Sequence, residues 1–446
     1  MASIARAVAG GHLDPRAPTR AALERIARLD PTLRSMVHVD EEAALREAAD
    51  RAAALARGEA PGALHGVPVA IKDVLDVAGM PTRANSRLFE GAGPAGRDSA
   101  VVARLRAAGA VIVGKAHCWE LSVGGPSAEP PCPPARNPWD PARDPGGSSS
   151  GPGAAVGAAL VPVAIGGDTG GSIRLPASAC GIVGFKPSHG LVPMDGALPF
   201  ASSLDVAGPL ARDARDAALV HGVIAATGIP GRLPPGGLRI GIPMALLDRT
   251  PPASDMAARL EECIAALRRA GHAVGPVSLP AAEIFNACYF LVARAEAHAR
   301  WRDALRAAGG RLGSIARRSL SIGAFIDEAD VARATRLRVA LRAGFDALFS
   351  GVDLLCLPTM PGEAGPLDPG DAVTRPDTAP YTRPFSLVGA PAISMPCGRG
   401  SSGLPRGVQF VGARGDDARL LAFACALEED PAWPWRAELP EAFAWN

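Results

Sequence analysis

The 446-residue sequence lacks a dominant charge: 46 Lys and Arg stand against 45 Asp and Glu, for a formal net charge of +1. That balance excludes the electrostatic footprint expected of a protein that binds nucleic acid or an anionic membrane surface. Paired cysteines are lacking too. The eight cysteines lie at 118, 132, 180, 263, 288, 356, 397 and 425, with no CxxC and no histidine at metal-ligand spacing. Such scatter reads as free thiols in a reducing compartment, not as a disulfide framework or a zinc site. The N-terminus has no apolar core of signal-peptide length, and no later run is long and apolar enough to span a bilayer. Val156–Ile165 is short and flanked by glycine, so it reads as buried core. The expected localisation is cytoplasmic. Neither an internal repeat nor a linker divides the chain. Its length would fill about three average domains, but one large α/β fold can take it whole.

What is present is concentrated in Gly146–Ala177, GGSSSGPGAAVGAALVPVAIGGDTGGSIRLPA. Two glycine-rich turns, each carrying serine, flank an apolar run, with Ser148 in the first turn and Ser172 in the second. Glycine beside serine lets the backbone approach a substrate and aim bare N–H groups at it. Upstream, GVPVAIKD (Gly66–Asp73) puts Lys72 at the end of an apolar run, where burial would lower its pKa.

Around these turns the pattern alternates helix and strand. Helices are expected over Thr19–Arg28, Asp40–Arg57, Asp98–Ala108, Ala253–Ala270, Glu328–Phe349 and Asp416–Leu427. Strands are expected at 67–71, 110–114, 238–242, 353–359, 387–398 and 407–413. That rhythm is the one of a sheet covered on both faces. Pro126–Pro145, with eight prolines in 20 residues, can be neither helix nor central strand and reads as an ordered loop.

Acyl transfer through a serine needs a nucleophile, a base, a site for the carbonyl oxyanion and a proton for the leaving group. Ser172 is the best nucleophile because Thr169, Gly170 and Gly171 precede it and supply an oxyanion hole. Lys72 is the best base if burial keeps it partly neutral. Ser148 can relay between them, since a hydroxyl donates and accepts at once. Neither glycine turn reads GxxxxGK[ST], so phosphate cradling is not supported.

These segments resemble the amidase signature family, which uses a Ser–Ser–Lys triad. Lys72 matches the family's lysine in GVPxxxKD, Ser148 the bridging serine in GGSS, and Ser172 the nucleophile in DxGGSIRxP. The resemblance further implies a cis peptide at Gly147–Ser148, support from Ser149, and bracing of the two loops by Asp168 and Arg174. It implies one α/β/α domain over residues 1–446 around a large, twisted, mixed and mostly parallel sheet. Within it the signature core covers about 64–211, a divergent substrate-side segment about 230–345, and a C-terminal return 350–430. No cofactor or metal is implied. The partner is a small amide, ester or carbamate; nucleic acid and membrane are not expected, and a homodimer is compatible.

Lys115, Glu120, His65, His117 and His189 are expected to be structural. The substrate residues are less legible. Candidates are Trp119, Trp139, Phe200, Phe285, Tyr289, Phe290, Phe325 and the loop 362–384, with Trp119 and Tyr289 foremost. Arg338 matches by its place before FDALF the arginine that holds glutamine in the family's transamidation subunit. The aspartate that would accompany it is missing from APYTRPFS, so an uncharged, apolar acyl or aryl group is expected. Carbamate or aryl ester hydrolysis on the same site is the alternative, and glutamine hydrolysis for a partner is the other.

Overall fold

The computed structural model describes residues 1–231, 233, 237–279, 282–368 and 377–444. Among them eleven strands form one sheet. They are β1 (Met36–Val39), β2 (Pro68–Lys72), β3 (Val111–Ala116), β4 (Val163–Asp168), β5 (Val183–Lys186) and β6 (Val206–Ala211), followed by β7 (Arg239–Pro243), β8 (Ala273–Val277), β9 (Leu354–Pro358), β10 (Ala392–Arg399) and β11 (Pro405–Val411). Their order across the sheet is β1-β3-β2-β4-β6-β5-β10-β11-β9-β7-β8.

Both faces are covered because the signature strands are apolar on both sides. Val69, Ile71, Ile112, Val163 and Ile165 enter one core. Their neighbours Ala70, Val111, Val113 and Ala164 enter another, beneath the helices Arg16–Leu33 and Glu41–Ala56. Successive side chains of a strand point to opposite faces, which turns near-continuous apolar runs into a two-sided core.

The sheet is mixed. β2 is parallel to β3 and β4, and β7 is parallel to β8 and β9. The pairings from β4 through β6, β5, β10 and β11 to β9 are antiparallel, as is β1 with β3. The parallel character expected from helix–strand alternation thus holds in two blocks, where helices such as Ala100–Ala107 and Ser254–Arg269 cross between strands. Between the blocks the pairing differs. Strands β10 and β11 are joined by a short turn, which favours an antiparallel pair. The C-terminal strands join the signature strands through β5 and β10.

Most expected elements are present with ends shifted by a few residues; Asp40, for instance, caps the helix from Glu41 by accepting from the Ala43 N–H at 2.9 Å. The strand expected from Leu387 starts only at Ala392. Before it Arg383–Val388 is helical and ends on Gly389 at φ 81°, a left-handed cap that an apolar run does not announce. The 27-residue helix Ala282–Ala308 and the helix Ser150–Gly157 were not anticipated. The latter reads SGPGAAVG, a poor helix by propensity. All eight of its residues are buried, and its glycines let neighbouring backbone approach, so packing overrides propensity.

Candidate active site

Strands β2 and β4 are parallel neighbours with Ile71 opposite Ile165, so Lys72 and Asp168 reach the carboxyl ends of adjacent strands. That is the edge where open α/β sheets present ligand sites. The proline-rich loop is ordered and tied to the helix Arg174–Cys180. Asn137 Nδ2 donates to Ala179 O at 2.9 Å, and Trp139 Nε1 donates to Cys180 O at 3.0 Å. The loop therefore delivers Gly146–Ser149 beside the second glycine turn. There Ser149 N donates to Ser172 O at 3.2 Å, and Ser149 Oγ both donates to and accepts from Gly167 at 3.1 Å. The Gly147–Ser148 peptide is cis.

Lys72 is buried, and its Nζ donates to Ser148 Oγ at 2.7 Å and to Gly167 O at 3.4 Å. Burial pushes its pKa down to about 8, while Cys118, Asp205 and Asp168 pull the other way. Ser172 lines a cavity of ≈ 360 Å³. Its hydroxyl bonds to no other described residue, so Ser148 is hydrogen-bonded to Lys72 and not to Ser172.

Asp168 organises the second turn. Its buried carboxylate accepts from Gly171 N at 2.7 Å, Ile173 N at 3.2 Å, and Arg174 Nε and Nη2 at 3.0 and 3.1 Å. Burial works to raise its pKa, but the Arg174 guanidinium and these donors hold it below the usual carboxylate value. Arg174 spends its other donors on Thr382 O at 3.0 Å, Gln409 Oε1 at 3.1 Å and Ser386 Oγ at 2.8 Å. Thr382 Oγ1 in turn donates to Gly170 O at 2.6 Å. The Gly170–Gly171 peptide is thus held at both ends, its carbonyl by Thr382 and its N–H by Asp168.

This corrects one expectation. The Gly171 N–H is committed to the frame, whereas those of Thr169, Gly170 and Ser172 donate to no other described residue. Gly171 serves through its backbone instead. Its φ is 138°, and a Cβ there would collide with Thr382 Oγ1.

Trp119 and Tyr289 both line the cavity with Ser172, as do Phe200 and Phe290. The indole of Trp119 lies where a Gly147 side chain would be, and the Tyr289 hydroxyl where one of Gly170 would be. The two aromatics therefore close down on the two glycine turns. Other substrate candidates fall elsewhere. Phe285 is core, Phe325 is 87% exposed, and Trp139 faces Arg399 in a separate hollow. Arg338 is not in the cavity lining: its guanidinium is taken by Leu387 O, Ser203 Oγ and Ser203 O at 2.8, 2.7 and 2.6 Å. A resemblance in chain order did not reveal that these partners engage all three of its nitrogens. Within the loop 362–384, Asp377, Thr378, Ala379 and Arg383 reach the cavity, and residues 369–376 lie outside the described residues.

The cavity is not the uncharged one expected. Asp144, Asp377, Arg294 and Arg383 line it together with the aromatics. Asp377 stands a few residues ahead of the segment where an aspartate looked missing, and it is ion-paired with Arg383 at 2.5 Å. Arg294 and Asp205 escaped notice because nothing in their local sequence marks them. Asp205 accepts from Thr169 Oγ1 at 2.5 Å and from the Phe200 and Ala201 N–H groups, fixing the entrance to the turn.

The groups read as structural have structural partners. Lys115 pairs with Asp73 at 3.0 Å, and Glu120 accepts from Ser86 Oγ at 2.7 Å and Gly313 N at 2.9 Å. His117 bonds Ser150 and Asn85, and burial pushes its pKa down to about 4. His65 and His189 bond the carbonyls of Arg51 and Ser202. No helix among the described residues is long and apolar enough to cross a membrane. None of their His, Cys, Asp and Glu side chains cluster as three or more potential metal ligands.

The profile of the Amidase family matches residues 17–421. The chain is 36% identical over 474 aligned residues to a glutamyl-tRNA(Gln) amidotransferase subunit of Chloroflexus aggregans, covering 96% of each chain. Among solved structures it superposes on a crystal structure of an amidase with a TM-score of 0.88, at 34% identity, over 96% of this chain and 98% of that one. It superposes on the native peptide amidase of Stenotrophomonas maltophilia with a TM-score of 0.83, at 32% identity, over 99% and 98%.

Proposed function

The chain belongs to the amidase signature family, enzymes that hydrolyse amide C–N bonds, and from that premise we propose that it cleaves a small carboxylic amide through an acyl-enzyme on Ser172. The observation that carries this reading is the 2.7 Å hydrogen bond from buried Lys72 to Ser148, beside a turn whose nucleophile opens on a cavity. Neutral Lys72 takes the Ser148 proton as Ser148 takes that of Ser172, and Ser172 Oγ attacks the carbonyl carbon. The N–H groups of Thr169, Gly170 and Ser172 receive the oxyanion. The proton returns along the same path to the leaving nitrogen, the C–N bond breaks, and water then releases the acyl group. Asp168, Arg174 and Ser149 position the turns.

Because the aromatic walls suit a planar or apolar group next to the carbonyl, aryl carbamates and esters are alternative substrates for the same acylation. A second reading, glutamine hydrolysis on behalf of a partner protein, is favoured by the 36% identity to an amidotransferase component over 96% of both chains. The test of the central reading is intact-protein mass after mixing with an activated ester, alongside amide turnover. Ser172→Ala should abolish the acyl adduct and turnover; Lys72→Ala should nearly do so; Ser148→Ala should lower both severely. Full turnover by Ser172→Ala would end the scheme. Ammonia release from simple amides in the absence of any partner separates the two readings.

A further inference from the structure

The four charged groups of the cavity are not equivalent. Arg383 has its counter-charge in Asp377, which it grips with two hydrogen bonds of 2.5 and 2.7 Å. It also lies over the Phe290 ring at 4.6 Å. Arg294, on the helix Ala282–Ala308, has no such match among the described residues. Its one hydrogen bond to them is a 3.4 Å contact from Nη1 to Ser319 O, and the Phe200 and Phe290 rings stand 5.9 Å from its guanidinium carbon. Among the described residues no carboxylate pairs with it. Burial, with the charge of Arg383 nearby, lowers its pKa from the ordinary arginine value. A half-buried guanidinium with most of its five donors unspent on protein is able to take a forked anion. It faces the same cavity as Ser172, so the group that completes it is one the cavity admits.

We propose that Arg294 is the specificity-determining residue of this site and that it selects amides carrying a carboxylate on the acyl side, of the class of monoamides of dicarboxylic acids. The carboxylate forms a forked pair with Arg294 between the Phe200 and Phe290 rings, and the amide carbonyl lies against the second glycine turn. The proposal rests on the hydrolytic reading given above, deepens it by naming the acyl group, and replaces the uncharged group expected from sequence. The neutral aromatic walls accommodate the methylenes between the two ends.

The test uses the full chain in two arms. In the first, calorimetry on Ser172→Ala measures binding of straight-chain ω-amic acids from succinamate to suberamate. The matching methyl-terminated alkanamides and glutamine are measured in parallel. At least one ω-amic acid should bind ten-fold or more tighter than its neutral counterpart, and adding Arg294→Gln should erase that ratio while Arg294→Lys restores part of it. Equal affinities for the two series, no binding of any ω-amic acid, or a ratio that survives Arg294→Gln would overturn the proposal. A preference for glutamine over every ω-amic acid would overturn it too, since the α-ammonium would then have a partner of its own. In the second arm, turnover of the same series by the wild-type protein reports on hydrolysis. Binding selectivity without turnover would spare Arg294 and count against the catalytic reading; turnover without charge selectivity would do the reverse.

Discussion

The pH dependence of acylation is the sharpest consequence of burying Lys72. An ordinary lysine with a pKa of 10.5 is neutral in only about one molecule in 3,000 at pH 7, whereas one held at about 8 is neutral in about one in eleven. Burial therefore raises the neutral fraction of Lys72 on the order of 300-fold. In the proposed mechanism the active form is the unprotonated one, so kcat/KM should climb as pH rises through an apparent pKa of about 8 and level off above it. That value belongs to the hydrogen-bonded Lys–Ser network. The charge of Asp205 favours protonated Lys72, so Asp205→Asn should move the rising limb to lower pH. The assay is the initial rate of ammonia release from an amide between pH 6 and 10, at substrate well below KM, for wild type and Asp205→Asn. A rate that is flat across this range, or that peaks in acid and falls through neutrality, would refute the neutral-lysine argument. A limb that moved upward in Asp205→Asn would refute the assigned sign of its charge.

Two further outcomes test the frame and the chemistry. Arg174→Ala leaves the buried Asp168 carboxylate without its cation, which costs roughly 3–5 kcal/mol for a broken buried pair; urea unfolding should register a loss of that order, and a change under about 1 kcal/mol would show that the brace is dispensable. Every role in the proposed mechanism is filled by side chains or backbone, so exhaustive dialysis against a chelator should leave turnover unchanged, and a loss restored by one particular metal would contradict it.

The sequence by itself determined the parts of this protein that are local. The glycine turns with their serines and the apolar run ending in Lys72 are each patterns of a few residues. Ser149, Asp168 and Arg174 followed only from the family resemblance of those segments, but Lys72, Ser148 and Ser172 could be nominated from the chain itself. The strands could be nominated likewise, because β-branched runs such as Val111–Val113 have few other fates. Only the tertiary structure decided what depends on partners distant in sequence. Helix Ser150–Gly157 exists because its small residues are packed on all sides, against their own propensity. The N–H of Gly171 is taken by Asp168 while Thr382, more than two hundred residues further on, takes the carbonyl of the same peptide. Neither Arg338, though its place before FDALF marks it, nor Arg294 shows along the chain whether its donors will be met. One meets Ser203 and the Leu387 carbonyl and has every nitrogen engaged; the other meets two aromatic faces and a cavity and has one nitrogen engaged by a long contact. A side chain's charge is written in the sequence, but whether that charge is already satisfied is set by which groups the fold brings within hydrogen-bond reach.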